Sequence, residues 1–324
     1  MNAQRTPSDR IAAFVEKHGF TAGAMKPIPT GLFNESFYVR TTEGPDIVVR
    51  VAPADDAGFV FYERGMMAQE PEIHSIVRRR TEIPIPRVFA YDDSRTVLDR
   101  DALIIERLPG RPLSARRLDR RAVDRVLEAV GACLRTLHRT CTARQYGYLG
   151  AHAPMAPADS WIDAFSDMWD RLISDLEGCG VYRPEDGEMA RAALRTHEAV
   201  FEYTKLASLL HMDVWAQNIL VDDEGSLCGI LDWDRALWGD PEIEYAVLDY
   251  CGFDTEAFWR GYGGRPDRTG AANIRHRFYL LYELQKYPVI WTRRRGGRAG
   301  SIAEYRDYAL RILRELHSGD NAGV

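Results

Sequence analysis

The stretch "LLHMDVWAQNILV", residues 209–221, sets His211, Asp213 and Asn218 into a segment otherwise written for a core. An isolated carboxylate is costly to bury and is rarely placed without a partner. A second polar pair, Asp232 and Asp234, closes the run "ILDWD". Between the two lies "DDEGS", a turn sequence separating two apolar runs, and this predicts a β-hairpin. A hairpin returns the end of its second strand beside the start of its first. Asn218 and Asp232 then become neighbours, with Asp213 close by. Asp232 and Asp234 are two apart, so on a continuing strand they share a face. Two carboxylates and an amide oxygen converging on one mouth make a hard-oxygen site suited to Mg²⁺, which commonly takes substrate phosphates as further ligands. Loop-capping hydrogen bonds are the competing account of Asp213 and Asn218. His211 has no second His or Cys nearby, so it is expected to be a packed, hydrogen-bonded residue that shapes the loop.

The surrounding elements must deliver that hairpin to a cleft. "SDRIAAFVEKHGF" predicts a short amphipathic helix capped at Ser8. "KPIPTGLFNESFYVRTTEGPDIVVRVAP" then alternates with the strand period in two or three runs. A helix follows from about Gly58 to Arg80. "IPIPRVFAYDD" breaks it, because each Pro disfavours helix at the residue before it. "DALIIERL" reads as a buried strand. Beyond it the chain turns helical: in "RAVDRVLEAVGACLRTLHRT", Val123, Val126, Leu127, Val130, Leu134 and Leu137 share one face. A small strand-rich unit followed by a larger helical one places a ligand cleft at their junction.

Composition excludes several alternatives. The 324 residues are 45% hydrophobic and 28% charged, with a net charge of −6, so no basic surface argues for nucleic acid or anionic lipid. The basic runs at Arg78–Arg80 and Arg293–Arg298 are expected to be solvated surface or loop. Five Cys at irregular spacing, without a CxxC, point to reduced thiols in a cytoplasmic protein rather than a disulfide frame or zinc site. The N-terminus lacks a signal-peptide apolar stretch, and no apolar run is long enough for a membrane span. Lys occurs only at positions 17, 26, 205 and 286, so Arg carries most of the positive charge.

"HMDVWAQN", followed by "ILDWDRALWGDPEIEYA", resembles the aminoglycoside phosphotransferase and choline kinase group. The shared pattern is H-x-D, an Asn five residues after that Asp, an Asp-x-Asp strand and G-D-P. "GLFNESFYV" resembles the nucleotide-binding loop of that group, and "IPIPRV" and "ERLPGRPL" its later landmarks, so the likeness spans roughly residues 20 to 290. It implies an α+β, bilobal protein-kinase-like fold. A small antiparallel-sheet nucleotide-binding lobe would occupy residues 1–108, and a larger, mostly helical lobe residues 109–324. It implies an enzyme that moves the γ-phosphate of ATP (or GTP) to a hydroxyl of a small molecule.

The same likeness implies roles. Asp213 accepts or orients the hydroxyl proton, Asn218 and Asp232 hold Mg²⁺, Asp234 supports the metal or its loop, and His211 shapes the loop. Gly31 lets the backbone approach the phosphates, with Phe33, Asn34 and Ser36 around it. Arg50 stands where protein kinases place a Lys, and Arg binds phosphate well. Arg50 is expected to pair with Glu70 rather than Glu72, because Glu70 has Ile73 and Val77 three and seven residues on. Pro71 puts Glu70 near a helix start or a break. The backbone of Glu106 and Leu108 is expected to meet the purine. Met212, after the His, and Glu244, where an Asp is common, depart from the pattern.

The acceptor is the least legible part. An aminoglycoside site should be acidic, and Asp163, Asp167, Asp170 and Asp175 line one helix, but a solvated helix face explains them equally. Trp259, Tyr262, Tyr282, Tyr287 and Trp291 offer either core or a stacking wall. The expected acceptor is a hydroxylated, antibiotic-like molecule (aminoglycoside, nucleoside or sugar), conferring resistance. The competing reading is a metabolic kinase for choline, an amino alcohol, homoserine or a sugar. A nucleotide-binding pseudoenzyme should have lost Asp213, Asn218 or Asp232, and none is lost. A metal phosphoesterase leaves Gly31 and Arg50 unexplained. No nucleic-acid or membrane partner is expected.

Overall fold

The computed structural model describes residues 6–29, 33–148, 150, 153–202, 206–294 and 299–318; Gly31 lies outside them. Helix α1 (Pro7–Lys17) begins two residues earlier than Ser8 capping predicts. Thr6 is the cap, Asp9 returns the bond to the Thr6 N–H, and Pro7 supplies a φ already suited to the first turn. Strands β1 (Ala22–Ile28), β2 (Glu35–Thr41), β3 (Ile47–Val51), β4 (Val88–Asp92) and β5 (Ala102–Glu106) form an antiparallel sheet in the order β1-β2-β3-β5-β4. Strand alternation divides β3. Ile47, Val49 and Val51 face α1 and pack with Phe14 and Val15, which leaves Val48 and Arg50 on the opposite face.

That opposite face receives α2 (Met66–Arg80), whose Met67 packs on Leu103 and Ile105. The helix starts later than the predicted Gly58. A single 3₁₀ turn, Phe61–Glu63, comes first, and Gly65 at φ 72° then turns the chain into the helix. Pro71 sits inside α2, near its start, where its missing N–H forfeits one backbone bond.

The rest is mostly helical: α3 (Arg120–Thr140), α4 (Trp161–Gly178), α5 (Pro184–Thr196), α6 (Pro241–Cys251), α7 (Glu256–Tyr262), α8 (Gly270–Arg293) and α9 (Ala299–Ser318). Two small sheets interrupt them. One orders β10 (Leu227–Ile230), β9 (Ile219–Val221) and β6 (Arg111–Pro112). The other orders β11 (Leu237–Gly239), β8 (Ala207–Leu210) and β7 (Thr142–Ala143). The main core joins α3, α4, α8 and both small sheets. Helices α3 and α7 touch backbone to backbone. A Cβ on Gly131 would stand 2.2 Å from the Phe258 carbonyl oxygen, and one on Gly261 would stand 1.9 Å from that of Glu128.

The four α4 aspartates are engaged within the protein. Asp163 closes the cap with Ser160, Asp167 pairs with Arg171, Asp170 with Arg191 and Asp175 with Arg293. Trp259 and Tyr282 are core residues, while Tyr287 and Trp291 stack on each other at 5.6 Å. All five cysteines are unpaired, and among the described residues no helix is long and apolar enough to cross a membrane.

Candidate active site

The hairpin forms as its sequence predicts. Ile219 opposes Ile230, and the Leu231 N–H bonds the Asn218 carbonyl at 2.8 Å. This puts Asn218 beside the residue preceding Asp232. The second strand, however, ends at Ile230, so Asp232 and Asp234 are not on a continuing strand. Asp232 has φ 65°, in the left-handed region, and the turn rather than strand alternation aims both carboxylates at one side chain, Arg50.

The loop after β8 is held from several directions. His211 Nε2 donates to the Leu231 carbonyl at 2.8 Å, and its Nδ1 accepts the Asp213 N–H at 3.2 Å, so the ring ties the loop to the hairpin. Asn218 Nδ2 donates to the carbonyl and to Oδ2 of Asp213, at 2.9 and 2.8 Å. The Asn218 amide oxygen takes no hydrogen bond among the described residues. Asp213 keeps 27% of its side chain exposed and opens on the cleft.

Arg50 organises the far wall. Its Nη1 lies 2.7 and 2.6 Å from the two Glu70 oxygens, and its Nη2 lies 2.7 Å from Asp232 Oδ1 and 3.0 Å from Asp234 Oδ2. Glu70 is fully buried, and Glu72 takes no part. Burial opposes the Arg50 charge, but Glu70, Asp232 and Asp234 outweigh it and raise its pKa. Burial and the Asp232 charge push the Asp234 carboxyl well above the ordinary carboxylate range. One guanidinium thus faces three carboxylates. Asp232 and the Asn218 amide oxygen are hard oxygen donors of the kind a divalent cation such as Mg²⁺ takes.

These groups line a cleft of about 290 Å³. Phe33 and Ser36 border it. Asn34 is buried, its amide 3.4 Å from Asp234 Oδ2. Toward the 106–112 connection the walls turn apolar: Ile28, Val48, Ile105, Leu108, Leu220 and Leu231. Glu106 spends its N–H on the Arg87 carbonyl, whereas the Leu108 N–H makes no hydrogen bond among the described residues. A neighbouring hollow of about 370 Å³ shares Phe33 and Asn34 but holds none of Arg50, Asp213, Asn218 or Asp232, so the chemistry belongs to the first cleft.

Sequence reasoning missed the supports. Glu244, fully buried, accepts the His211 and Met212 N–H groups at 2.9 and 2.7 Å on one oxygen and His138 Nε2 at 2.7 Å on the other. Arg235 donates to the Met212 carbonyl at 2.7 Å and pairs with buried Glu283 at 3.2 Å, which also meets Lys286. Burial works against the Glu283 charge, yet Arg235 and Lys286 lower its pKa. A signal existed: Glu283 and Lys286 stand three apart in the apolar run "FYLLYELQKY". The G-D-P aspartate, Asp240, caps α6 and accepts from Tyr279 Oη at 2.6 Å.

The model of the phosphotransferase enzyme family matches residues 24–274. A candidate ketoamine kinase of Vibrio cholerae serotype O1 is 25% identical over 226 residues, 66% of this chain and 71% of the relative. Among solved structures, a candidate fructosamine-3-kinase from Thermobifida fusca YX-ER1 superposes with TM-score 0.69 at 18% identity, over 94% of this chain and 98% of that one. Aminoglycoside phosphotransferase APH(4)-Ia superposes with TM-score 0.65 at 17% identity, over 98% of this chain and 100% of that one. At such identities the solved structures establish the fold, which is protein-kinase-like.

Proposed function

The chain belongs to the phosphotransferase enzyme family, and from that we propose that it transfers the γ-phosphate of ATP (or GTP) to a hydroxyl of a small molecule, with the residues converging on Arg50 and Asp213 as its machinery. The observation that carries this reading is that Asp213, Asn218, Asp232 and Arg50 meet in one cleft with an apolar slot beside it. Phosphoryl transfer needs positioning and charge neutralisation more than covalent help, and each residue supplies one of these. Asp213 takes or orients the proton of the attacking hydroxyl. Arg50, fixed by Glu70, steadies the nucleotide phosphates. Asn218 and Asp232 hold Mg²⁺, which supplies positive charge to the phosphate oxygens. Asp234 accepts a hydrogen bond from Arg50 and keeps its guanidinium in place, and Asn34 and Ser36 border the phosphates. The Leu108 N–H and the Glu106 carbonyl read the base edge. Residues 1–108 serve as the nucleotide lobe and 109–324 as the acceptor lobe.

For the acceptor, the reading favoured is a sugar-derived ketoamine. The sequence likeness to a ketoamine kinase supports it, and so does the charge: each of the α4 aspartates already has a partner within the protein, while Arg235 and Arg294 border the cleft. A polycationic acceptor would want the reverse. The second reading, an aminoglycoside and with it a resistance role, draws on the superposition with APH(4)-Ia. Purified protein with ATP and Mg²⁺, offered a fructosamine, hygromycin B and choline in separate assays of ADP release, decides among them. Turnover on the fructosamine alone is expected. Turnover on hygromycin B alone would move the assignment to antibiotic modification, and ADP release with none of a wider alcohol panel would sink the kinase reading.

A further inference from the structure

Two arginines at the end of α8 reach the segment that precedes α2. Arg293 donates through Nη1 to the Phe59 carbonyl and through Nη2 to Asp175 Oδ1 at 2.8 Å. The other Asp175 oxygen accepts the Phe61 N–H at 2.8 Å, so one carboxylate on α4 joins the helix end to the segment before α2. Arg294 pairs with Glu63, whose carboxylate is already fixed by the Val60 N–H at 2.8 Å. The Arg294 guanidinium also lies 5.2 Å from the centre of the Phe33 ring, and that ring meets Phe59 at 5.0 Å. Gly58 completes the fit: a Cβ there would stand 2.9 Å from Arg294 Cγ. The basic run at the end of α8 is therefore not solvated surface at Arg293 and Arg294, whose side chains are 21% and 28% exposed.

The geometry points to Arg293 and Arg294 as positioning residues, a clasp that sets residues 33–36 against the phosphate end of the cleft and so tunes nucleotide affinity. Residues 33–36 are then held from two flanks, by Arg294 on Phe33 and by Asp234 on Asn34. Arginine suits both positions: its planar fork serves a carbonyl and a carboxylate at once in Arg293, and lies over a ring while paired in Arg294. Lysine can keep the charge but not these geometries. Because the contacts are partly buried, they resist salt better than a surface pair.

The role of residues 33–36 toward nucleotide rests on the phosphotransferase reading; the clasp itself rests on geometry. Two readouts keep these apart. Hydrogen exchange at residues 58–63, without nucleotide, reports the clasp. Calorimetric binding of ATP with Mg²⁺ reports its effect. In R293A and R294A, exchange at 58–63 should accelerate and the ATP Kd should rise about tenfold, with R294K intermediate. G58A keeps both arginines and should shift both readouts the same way by less, which covers the case of a poorly folded arginine variant. Wild-type exchange and an ATP Kd within about twofold in all the variants would overturn the proposal. Faster exchange with unchanged Kd would overturn its effect on nucleotide. Absence of ATP binding by the wild-type protein would instead overturn the phosphotransferase reading, while exchange still judges the clasp.

Discussion

Glu244 accepts the N–H of Met212 at 2.7 Å, so the two residues that depart from the family pattern are bonded to each other. Met212 has φ 65°, a conformation unfavourable for a bulky side chain. Glu244 holds its N–H side and Arg235 its carbonyl side, and Asp213 follows directly. The strain is kept at the residue next to the proposed proton acceptor. Burial opposes the Glu244 charge, but His138, His211 and the Met212 N–H together outweigh it, and the folded-state pKa lies below the ordinary 4.5. A carboxyl with a depressed folded value stabilises the fold above its unfolded value and loses that contribution as pH falls through the folded one. E244Q should therefore lower Tm at neutral pH, and the gap to wild type should shrink as the pH falls below the ordinary carboxylate range. Thermal melts across that range check it; a gap that widens in acid would contradict the assignment.

Asp213 is expected to matter for chemistry and not for nucleotide. D213N should lower kcat by about 10²- to 10⁴-fold, the usual span for losing a positioned acid–base group, with ATP affinity nearly unchanged. Initial rates at saturating ATP, paired with calorimetry, separate the two effects. Wild-type turnover in D213N would remove Asp213 from its role.

The Arg50–Glu70 pair makes a different prediction. Glu70 is fully buried, so E70A strips a buried guanidinium of its strongest partner and should cost about 3 kcal/mol of stability. Arg50 would then swing toward Asp232 and Asp234 and leave the phosphates. The KM for ATP should rise more than kcat falls, and steady-state kinetics at varied ATP reads this directly. An unchanged KM would mean that Arg50 does not serve the nucleotide.

The features legible in the residues divide from the rest along range. The hairpin is local, and "DDEGS" between two apolar runs was enough to bring Asn218 and Asp232 together. The Glu70 choice was legible because helix period selects one face. The turn at Asp232 was not, since nothing in "LDWD" announces a left-handed residue. The partners of Glu244, Arg235 and Arg293 lie 23 to 234 residues away, where only tertiary packing decides which groups meet. For that reason a basic run and an acidic helix, both read as solvated, bind each other through Arg293 and Asp175. The acceptor pocket stayed illegible for the same cause.

The contact of α3 with α7 gives a stability prediction free of the chemistry. A methyl on Gly261 would meet the Glu128 carbonyl at 1.9 Å and the Ala132 nitrogen at 3.0 Å, both backbone atoms that cannot rotate away. G261A should cost about 1–3 kcal/mol and lower Tm by roughly 5 °C. Differential scanning calorimetry tests it; an unchanged Tm would mean that the helices separate more easily than their packing implies.

The two-residue strand β6 pairs with β9, the first strand of the hairpin that follows Asn218, through Arg111 opposite Val221 and Pro112 opposite Leu220. The connection between the two parts of the chain is thereby stitched to the floor of the cleft. A pivoting motion of the five-stranded sheet must bend the chain before residue 111, and the hairpin travels with the helical part. The apolar slot takes one wall, Ile28, Val48 and Ile105, from that sheet and the other, Leu220 and Leu231, from the hairpin, so such a motion changes the width of the slot itself.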